Sequence, residues 1–305
     1  MSTTTTTDPG IVEASVGTAG SFDARLAAKR DALLAVLRGY GRVAVAYSGG
    51  VDSAVVAKAA HEALGEGAVA VTAVSQSLAS GELEQAAEMA RRIGVRHRIV
   101  HTEEFADANY LSNTPERCYF CKSELYGRLL GMMDELGVDA VASGANLDDR
   151  GDHRPGMKAA GEKGVRHPLQ EAGLNKEDVR ALALAWGLPA WNKPAAPCLS
   201  SRIAYGENVT PERVAMIDRA EGWLHERGLP VLRVRYHKGD MARVEVPPEE
   251  FPRLLAEPFR SEMTAAFRGF GFKFVTMDLE GFRSGSLNQL VPADRLLGKK
   301  FAAKP

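Results

Sequence analysis

The residues whose types and spacing most clearly suit chemistry are the six from Ser48 to Ser53, which read Ser-Gly-Gly-Val-Asp-Ser. Successive glycines let the backbone approach an anion, and the two serines add hydroxyl donors. The N–H groups of the helix that begins here point at the same place. The Asp52 carboxylate would repel a phosphate, so we expect it to hold a Mg²⁺ ion that bridges phosphate oxygens. The stretch therefore predicts a phosphate-binding loop.

This loop differs from two common phosphate-binding motifs, because it lacks the Walker A lysine and the third glycine of a dinucleotide fingerprint. It resembles instead the PP-loop of ATP pyrophosphatases, which cleave ATP between its α- and β-phosphates and adenylylate a substrate. The resemblance implies that ATP is bound by Ser48, Gly49, Gly50, Val51, Asp52 and Ser53. A glycine turn without a ligand is the alternative, and the two serines and the aspartate argue against it.

The three cysteines are the second set of residues that suit chemistry. Cys118 and Cys121 are one helical turn apart, so their thiolates can reach one metal centre, and the same spacing suits a redox dithiol. Cys198 follows a proline-rich stretch that disfavours helix and central strand, which predicts a functional cysteine on a rigid loop. Three thiolates suit a [4Fe–4S] cluster with one open iron, or zinc with a bound water.

A polar stretch, Ser143 to Asp152, follows the fourth predicted strand. It includes Asn146 and Asp149, and such groups at the carboxyl end of a strand suit metal or ribose contacts. For any one of these acids, an Asx-rich turn without a ligand fits the pattern equally well.

The elements that must position these residues alternate between strand and helix. We predict strands at residues 43–47, 68–74, 97–101 and 140–143, and helices around them that are capped by Ser21, Ser80 and Asn175. This order indicates an α/β fold with a doubly wound parallel sheet, whose ligand lies beyond the carboxyl ends of the strands.

The pattern changes after residue 203. Thr210 is predicted to cap a helix, strands at 231–237 and 242–246 are predicted to pair, and a helix near 259–267 and a strand at 272–278 follow. We predict three parts. They are a disordered leader (1–20), a nucleotide-binding domain (21–203) and a smaller C-terminal α+β domain for substrate binding and oligomerisation (204–305).

The amino-acid composition indicates which kinds of molecule the protein binds. The 305 residues are 45% hydrophobic and carry 38 basic and 39 acidic side chains, so no global positive field favours nucleic acid or an anionic membrane. No apolar stretch approaches the roughly 20 residues of a membrane span, and the first residues show no signal-peptide pattern. We predict a cytoplasmic protein that acts on a small molecule.

Five motifs in order resemble the LarE family of ATP-dependent sulfur transferases: SGGVDS, RCYFCK, SGANLDDRGDHRPG, KPAAPCLSSRI and GFRSGSLN. The likeness runs from about Arg42 to Asn288. Such proteins convert both carboxylates of pyridinium-3,5-biscarboxylic acid mononucleotide to thiocarboxylates, on the way to the nickel-pincer nucleotide cofactor of lactate racemase. Similar proteins assemble as homo-oligomers, a hexamer being one possibility.

The resemblance implies two sulfur sources. In some members one cysteine, matched here by Cys198, donates its own sulfur and becomes dehydroalanine. Others also carry a CxxC and hold a [4Fe–4S] cluster on three cysteines. Because this chain has Cys118 and Cys121, the resemblance implies the cluster type, supplied by sulfide or another sulfur donor.

Roles for the remaining candidate site residues follow from their chemistry and from the resemblance to the LarE family. Lys122 would stabilise charge that develops on the phosphate, and Asn146 and Asp149 would contact the nucleotide. The resemblance places Arg233, Arg235 and Arg283 on the substrate phosphate, for which a planar guanidinium fork is well suited. Without the resemblance, Arg233 and Arg235 could equally well be two arginines on the solvent-exposed face of a strand. We add Ser201 and Arg202 to the substrate-binding set, and Glu221 and Glu245 match acids that bind a metal in similar proteins.

Three other functions remain open. A PP-loop tRNA thiolase performs similar adenylation chemistry, but it would be expected to show a basic surface or an RNA-binding module. An AMP-binding regulator would explain the loop but not three cysteines on loops. An ammonia-using synthetase shares the adenylation but has no use for the cysteines.

Overall fold

The computed structural model describes residues 22–150, 155–194, 197–283 and 285–290, and for Asn288 the backbone alone. The predicted leader and the Ser21 cap lie outside these residues. So do parts of three quoted motifs, at residues 151–154, 195–196 and 284.

The first four strands, up to residue 142, are separated from one another by one or more helices. The strands are β1 (Val43–Ala46), β2 (Ala68–Val74), β3 (Arg96–His101), β4 (Ala140–Ala142), β5 (Arg233–His237), β6 (Met241–Glu245) and β7 (Phe274–Met277). The helices are α1 (Ala24–Arg38), α2 (Val51–Leu64), α3 (Glu82–Ile93), α4 (Ala108–Leu111), α5 (Arg117–Gly131), α6 (Met133–Leu136), α7 (Pro155–Glu162), α8 (Pro168–Glu171), α9 (Lys176–Ala185), α10 (Pro211–Glu226), α11 (Phe251–Leu255) and α12 (Phe259–Phe270).

The first four strands form a parallel sheet in the order β3-β2-β1-β4. Alternate residues of a strand face opposite sides of a sheet. Val43 and Val45 of β1 accordingly pack in one apolar cluster with α1, α2 and α9, whereas Ala44 packs in another with α5 and α7. Helices thus cover both faces, and the predicted doubly wound α/β fold is confirmed.

The strand order reverses at β1, which pairs with β2 on one side and β4 on the other. In such a sheet the crevice at the carboxyl ends of these strands is the expected ligand site. The loop after β1 begins at Tyr47, and the loop after β4 begins at Ser143. Both predicted nucleotide-binding stretches therefore lie at this crevice.

A second sheet of three strands, in the order β5-β6-β7, follows. The predicted pairing of β5 with β6 is confirmed as antiparallel, and β7 joins β6 in parallel. This sheet packs against α10 and α12 through residues such as Val234 and Phe267. The same apolar cluster includes Tyr110, Leu199 and Ile203, which precede residue 204. The domain boundary at residue 203 stays a prediction.

Two of the predicted helix caps were wrong. Asp23, rather than the predicted Ser21, caps α1, and its carboxylate accepts a hydrogen bond from the Leu26 N–H at 2.6 Å. The Ser80 cap was wrong, because Gly81 precedes α3 and the Ser80 hydroxyl donates to Asp218 of α10. The predicted caps Thr210 and Asn175 are confirmed, since each side chain accepts a backbone N–H of the helix that follows.

Candidate active site

The phosphate loop is folded around the hydroxyls of its own serines. Ser53 Oγ accepts a hydrogen bond from the Ser48 N–H at 3.2 Å and donates to the Gly50 oxygen at 3.0 Å. Ser48 Oγ lies 3.2 Å from Ser53 Oγ and accepts the Gly50 N–H at 3.4 Å. These bonds hold the loop at the start of α2, where the first N–H groups of the helix have no helical acceptor. The loop and the start of α2 together offer free backbone N–H groups that can bind an anion.

Two glycines allow the close approaches that shape this site. Gly49 has φ +72°, and a Cβ at this position would lie 3.0 Å from both the Cα and the Cβ of Ala86 in α3. A Cβ at Gly144, in the loop after β4, would lie 2.9 Å from the Ser53 nitrogen. The loop after β4 therefore lies directly against the start of α2.

Asp52 is contacted from the loop after β4. Its Oδ1 accepts a hydrogen bond from Asn146 Nδ2 at 3.0 Å. The Asp149 carboxylate in turn accepts the Asn146 N–H at 3.0 Å, in a capping box at the start of a 3₁₀ turn, Leu147–Asp149. The structure thus brings together three of the predicted nucleotide-site residues, with Asp149 positioning the segment that carries Asn146.

Lys176, the first residue of α9, is a member of this site that sequence reasoning missed. Its Nζ lies 2.5 Å from Asp52 Oδ2. Its backbone N–H donates to Asp148 Oδ2 at 2.8 Å, which joins α9 to the loop after β4. Both oxygens of Asp52 therefore have partners in this structure, an amide on one and an ammonium on the other.

The two segments that carry the three cysteines lie side by side. Cys118 and Cys198 are exposed, and Cys121 is partly buried. Burial raises the pKa of the Cys121 thiol to about 12; Lys122 opposes this rise, and Cys198, Glu104 and Cys118 add to it. The Arg117 hydrogen bond to the Ser200 oxygen holds the Cys198 segment against the start of the helix that carries the other two cysteines. The metal-ligand roles of the three cysteines stay predictions.

Positive charge accompanies these thiols. Burial alone would lower the pKa of the Arg117 guanidinium, but the sulfurs of Cys198 and Cys118 outweigh it and the pKa is raised. Burial likewise acts to lower the pKa of Lys122, while Tyr126 and the three cysteines raise it. Lys122 acts to lower the pKa of Cys121, but burial outweighs this effect and the thiol form of Cys121 is favoured.

The Cys198 segment is tied to α4, α5 and the end of β2 by direct hydrogen bonds. Arg117 donates to the Ser200 oxygen at 2.8 Å, and the Tyr110 and Ser200 hydroxyls lie 2.7 Å apart. The Leu199 N–H donates to the Ser77 oxygen at 2.9 Å, just beyond the carboxyl end of β2. The thiols therefore lie at the same edge of the parallel sheet as the phosphate loop.

Two of the predicted substrate-binding arginines, Arg202 and Arg235, lie in buried ion pairs with the predicted metal-binding acids Glu221 and Glu245. Arg202 forms two hydrogen bonds with Glu221, at 3.1 and 3.2 Å, and their side chains are 3% and 7% exposed. Arg235 contacts Glu245 Oε2 through two nitrogens at 2.9 and 3.0 Å. Ser201 links the two pairs, because its oxygen accepts from Arg235 at 3.3 Å and its hydroxyl from Arg202 at 3.2 Å.

Arg233 lies near both pairs, and Arg283 lies further along the chain. Burial lowers the pKa of Arg233, and the positive charges of Arg202 and Arg235 lower it further. Its guanidinium lies over the Phe282 ring, 5.3 Å from the centroid, and Arg283 pairs with Asp278 and Glu280. The carboxylates of Glu221 and Glu245 act in the opposite direction on the pKa of Arg233, so the positive charge here is partly balanced by the protein's own acids.

The described residues do not include a preformed metal cage. Among them, no group of three or more His, Cys, Asp or Glu side chains is arranged to hold one ion. This arrangement differs from the zinc site considered above, which needs three sulfurs to converge on a point. In a cubane each cysteine ligates a separate iron, so the three thiols need only be neighbours. The metal-ligand roles of Glu221 and Glu245 stay predictions.

Comparison with known proteins decides the family. Residues 28–122 match the asparagine synthase family. Over 274 residues the chain is 38% identical to the pyridinium-3,5-bisthiocarboxylic acid mononucleotide synthase of Lactiplantibacillus plantarum, covering 90% of this chain and 98% of that protein. The chain belongs to the LarE family. The predicted ATP-dependent enzyme of the PP-loop class is thereby confirmed.

Other relatives of this LarE protein match it to different extents. It is 47% identical over 250 residues to an uncharacterized protein of Synechocystis, covering 82% of this chain and 93% of that one. It is 31% identical over 192 residues to the tRNA-specific 2-thiouridylase MnmA of Azorhizobium caulinodans, covering 50% of this chain and 49% of that enzyme. The thiolase likeness is thus confined to half of each protein. No described helix of the LarE chain has the length and apolarity needed to cross a bilayer.

Proposed function

We propose that this LarE protein adenylylates the carboxylates of pyridinium-3,5-biscarboxylic acid mononucleotide and converts them to thiocarboxylates. The observation that carries the proposal is the match, over nearly the full length of both chains, to a synthase named for the bisthiocarboxylic product. The neighbouring thiols at the carboxyl edge of the PP-loop sheet support it, because sulfur transfer gives them a use.

The first step needs ATP held by its phosphates. The serine hydroxyls and first-turn N–H groups of α2 are the donors for this, and Asp52 supplies the carboxylate for Mg²⁺. The residues fit that ion, because Mg²⁺ is usually held by one or two carboxylates together with nucleotide phosphates rather than by an all-protein cage. A substrate carboxylate attacks the α-phosphorus, pyrophosphate leaves, and an acyl-adenylate forms. Lys122 is the cation we assign to the charge that develops there.

The mononucleotide substrate carries a phosphate that must be anchored away from the reacting carboxylates. Arg233, Arg235 and Arg202 form a cationic group near Ser201, three residues from Cys198. We assign the substrate phosphate to this group together with Arg283. Binding there would hold the pyridinium carboxylates toward the edge that carries both the thiols and the phosphate loop.

The second step forms a carbon–sulfur bond. A sulfide nucleophile attacks the acyl carbon, the carbon–oxygen bond to AMP breaks, and a thiocarboxylate and AMP are the products. Cys118, Cys121 and Cys198 are the residues that would hold a [4Fe–4S] cluster, whose open iron would bind sulfide. Three cysteines with the cations Arg117 and Lys122 near them are a ligand set that such a cluster would take, and a bound metal would deprotonate the Cys121 thiol whose pKa burial raises.

The proposed function is tested by finding out which molecule accepts the sulfur. Protein reconstituted with iron and sulfide under anaerobic conditions is incubated with ATP, Mg²⁺, sulfide and either the pyridinium mononucleotide or unmodified tRNA. We expect thiocarboxylates, AMP and pyrophosphate from the mononucleotide, and no thiolated base from tRNA. Thiolation of tRNA with the mononucleotide left intact would replace this function with that of a tRNA thiolase.

A further inference from the structure

A cavity of about 260 Å³ lies between the 3₁₀ turn Glu104–Ala106 and helix α5. This volume is below the roughly 300–1,000 Å³ of sites for drug-sized ligands, so an occupant would be small. Four of the six lining residues are acidic, and we call this site the acidic cavity. Its lining residues are Glu103, Glu104, Asp107, Phe120, Ser123 and Glu124.

The acidic cavity carries more negative charge than its neighbours balance. Arg128 pairs with both Glu103 and Glu124, at 2.9 and 2.8 Å. Asp107 accepts the Asn109 N–H at 2.8 Å, and within the described chain neither Asp107 nor Glu104 forms a salt bridge. One guanidinium thus stands against four carboxylates. Such a cavity disfavours an anion, hydrosulfide included, and favours a cation.

Glu104 is the carboxylate of this cavity that lacks a full set of partners. Its side chain belongs to a residue that is 3% exposed. Oε1 accepts hydrogen bonds from the Ser75 hydroxyl at 2.5 Å and from the Ser77 hydroxyl at 3.3 Å. Oε2 is also buried, and among the described residues no group donates to it. Because a buried acceptor without a donor is costly, a donor that enters the cavity would bind Glu104 favourably.

The acidic cavity adjoins both cysteine-bearing segments. The Ser77 hydroxyl donates to Glu104, while the Ser77 backbone oxygen accepts the N–H of Leu199, the residue after Cys198, at 2.9 Å. On the other side, Phe120 immediately precedes Cys121 in α5. A molecule in this cavity would therefore lie next to the thiols, separated from the Cys198 segment by Ser77 and Glu104.

The lining fits an organic cation better than a metal ion. A divalent metal needs several oxygens that converge on one point, and the described residues hold no group of three or more His, Cys, Asp or Glu side chains so arranged. An ammonium group needs only one strong acceptor, and its carbon chain can lie on an aromatic ring. Glu104 offers the acceptor, and Phe120 offers the ring.

We propose that the acidic cavity binds the ammonium group of a small organic amine, with Glu104 as the acceptor and Phe120 as the apolar wall. This amine site goes beyond the proposed function, and neither depends on the other.

The experiment compares a charged probe with an uncharged one of the same chain length. Butylammonium and 1-butanol are titrated separately into the full-length protein, purified without oxygen, and binding is followed by ligand-observed NMR. Mn²⁺ is titrated in a third series, followed by electron paramagnetic resonance, because a metal ion is the competing occupant. Thermal unfolding checks that each variant is folded.

Glu104→Gln keeps an acceptor for the Ser75 and Ser77 hydroxyls but removes the charge. The matched control is Glu135→Gln, which removes an exposed carboxylate that pairs with Arg98 at 2.8 Å. Phe120→Leu is a second variant, which leaves Glu104 in place and decides the matter if Glu104→Gln does not fold.

The parent is expected to bind butylammonium and not 1-butanol. Glu104→Gln should bind butylammonium about 10- to 100-fold more weakly, the effect of losing one hydrogen bond between charged groups. Phe120→Leu should bind it about 2- to 5-fold more weakly, because only the attraction of the aromatic face is lost. Glu135→Gln should match the parent.

Three results would overturn the proposal. If the folded parent binds no butylammonium, the cavity holds water only. If the parent, Glu104→Gln and Phe120→Leu bind butylammonium equally, the amine binds elsewhere on the protein. If Mn²⁺ binding is lost in Glu104→Gln while the parent binds no butylammonium, the occupant is a metal ion. The proposed function stands in each case, because sulfur transfer to the mononucleotide is measured separately.

Discussion

Arg117 donates a 2.8 Å hydrogen bond to the backbone oxygen of Ser200. Arg117 immediately precedes Cys118, and Ser200 follows Cys198 by two residues. The guanidinium is 5% exposed and also contacts Asn113, so it is a buried link between the helix that carries two of the cysteines and the loop that carries the third. We expect the spacing of the three thiols to depend on this link.

Replacing Arg117 with methionine is expected to reduce iron binding although all three cysteines remain. The change breaks the link to Ser200 and removes a positive charge from beside the thiols. Iron and sulfide per chain, measured after anaerobic reconstitution, should fall well below the parent value. Arg128→Met is the control, because Arg128 lies on the same helix and pairs with Glu103 and Glu124 at the surface. Equal iron content in all three proteins would show that Arg117 does not organise the thiols.

The proposed [4Fe–4S] cluster predicts a stoichiometry. Protein purified without oxygen should contain about four iron and four sulfide per chain, as one cubane requires. Cys118→Ala, Cys121→Ala and Cys198→Ala should each lose both the cluster and sulfur transfer, because each removes one ligand. An iron-free preparation with full activity would exclude the cluster.

The Asp52 carboxylate is expected to be essential for adenylylation. Asp52→Asn keeps the shape of the side chain and its contact with Asn146 but removes the charge that holds Mg²⁺. Pyrophosphate release should be abolished, while circular dichroism and the unfolding midpoint stay close to those of the parent, because the side chain lies outside the core. Pyrophosphate release at the parental rate would refute the assignment of the loop.

Glu221 tests the balance between structure and metal binding in the C-terminal part. Glu221→Gln leaves the buried Arg202 guanidinium without its carboxylate, which typically costs about 3–5 kcal/mol of unfolding free energy. Denaturant titration in the presence of a chelator measures this loss. The exposed Glu226 lies on the same helix, and Glu226→Gln should be near neutral. A loss of stability that appears only when a divalent metal is added would assign Glu221 to a metal rather than to Arg202.

Local sequence patterns predicted most of the fold. The apolar run at residues 68–74 gave both ends of β2 correctly. The caps Asn175 and Thr210 were predictable because each accepts an N–H only three residues further along the chain. The Ser80 cap was wrong because the competing partner, Asp218, is 138 residues away, and no local pattern reports such a partner.

The part of the candidate site that sequence reasoning reached is carried by short stretches of chain. The phosphate loop and the Cys118–Cys121 pair are such stretches, whereas Cys198 lies in a separate, proline-rich stretch, and the roles of all three cysteines stay predictions. Lys176 and Arg117 were missed as site residues for a different reason, because Lys176 has its partner 124 residues away and Arg117 has Ser200 83 residues away. The one signal available was that Arg117 adjoins Cys118. For Lys176, only the absence of a lysine within the loop pointed to a cation from elsewhere.

The central claim is that the three cysteines carry sulfur catalytically rather than one of them giving up its own. Intact-protein mass spectrometry after reaction with ATP, Mg²⁺, sulfide and the pyridinium mononucleotide tests it most directly, with the thiocarboxylate product counted in the same sample. We predict an unchanged chain mass and several thiocarboxylates per chain. A chain lighter by the mass of H₂S, with dehydroalanine at position 198 and product that stops at one sulfur per chain, would contradict the claim.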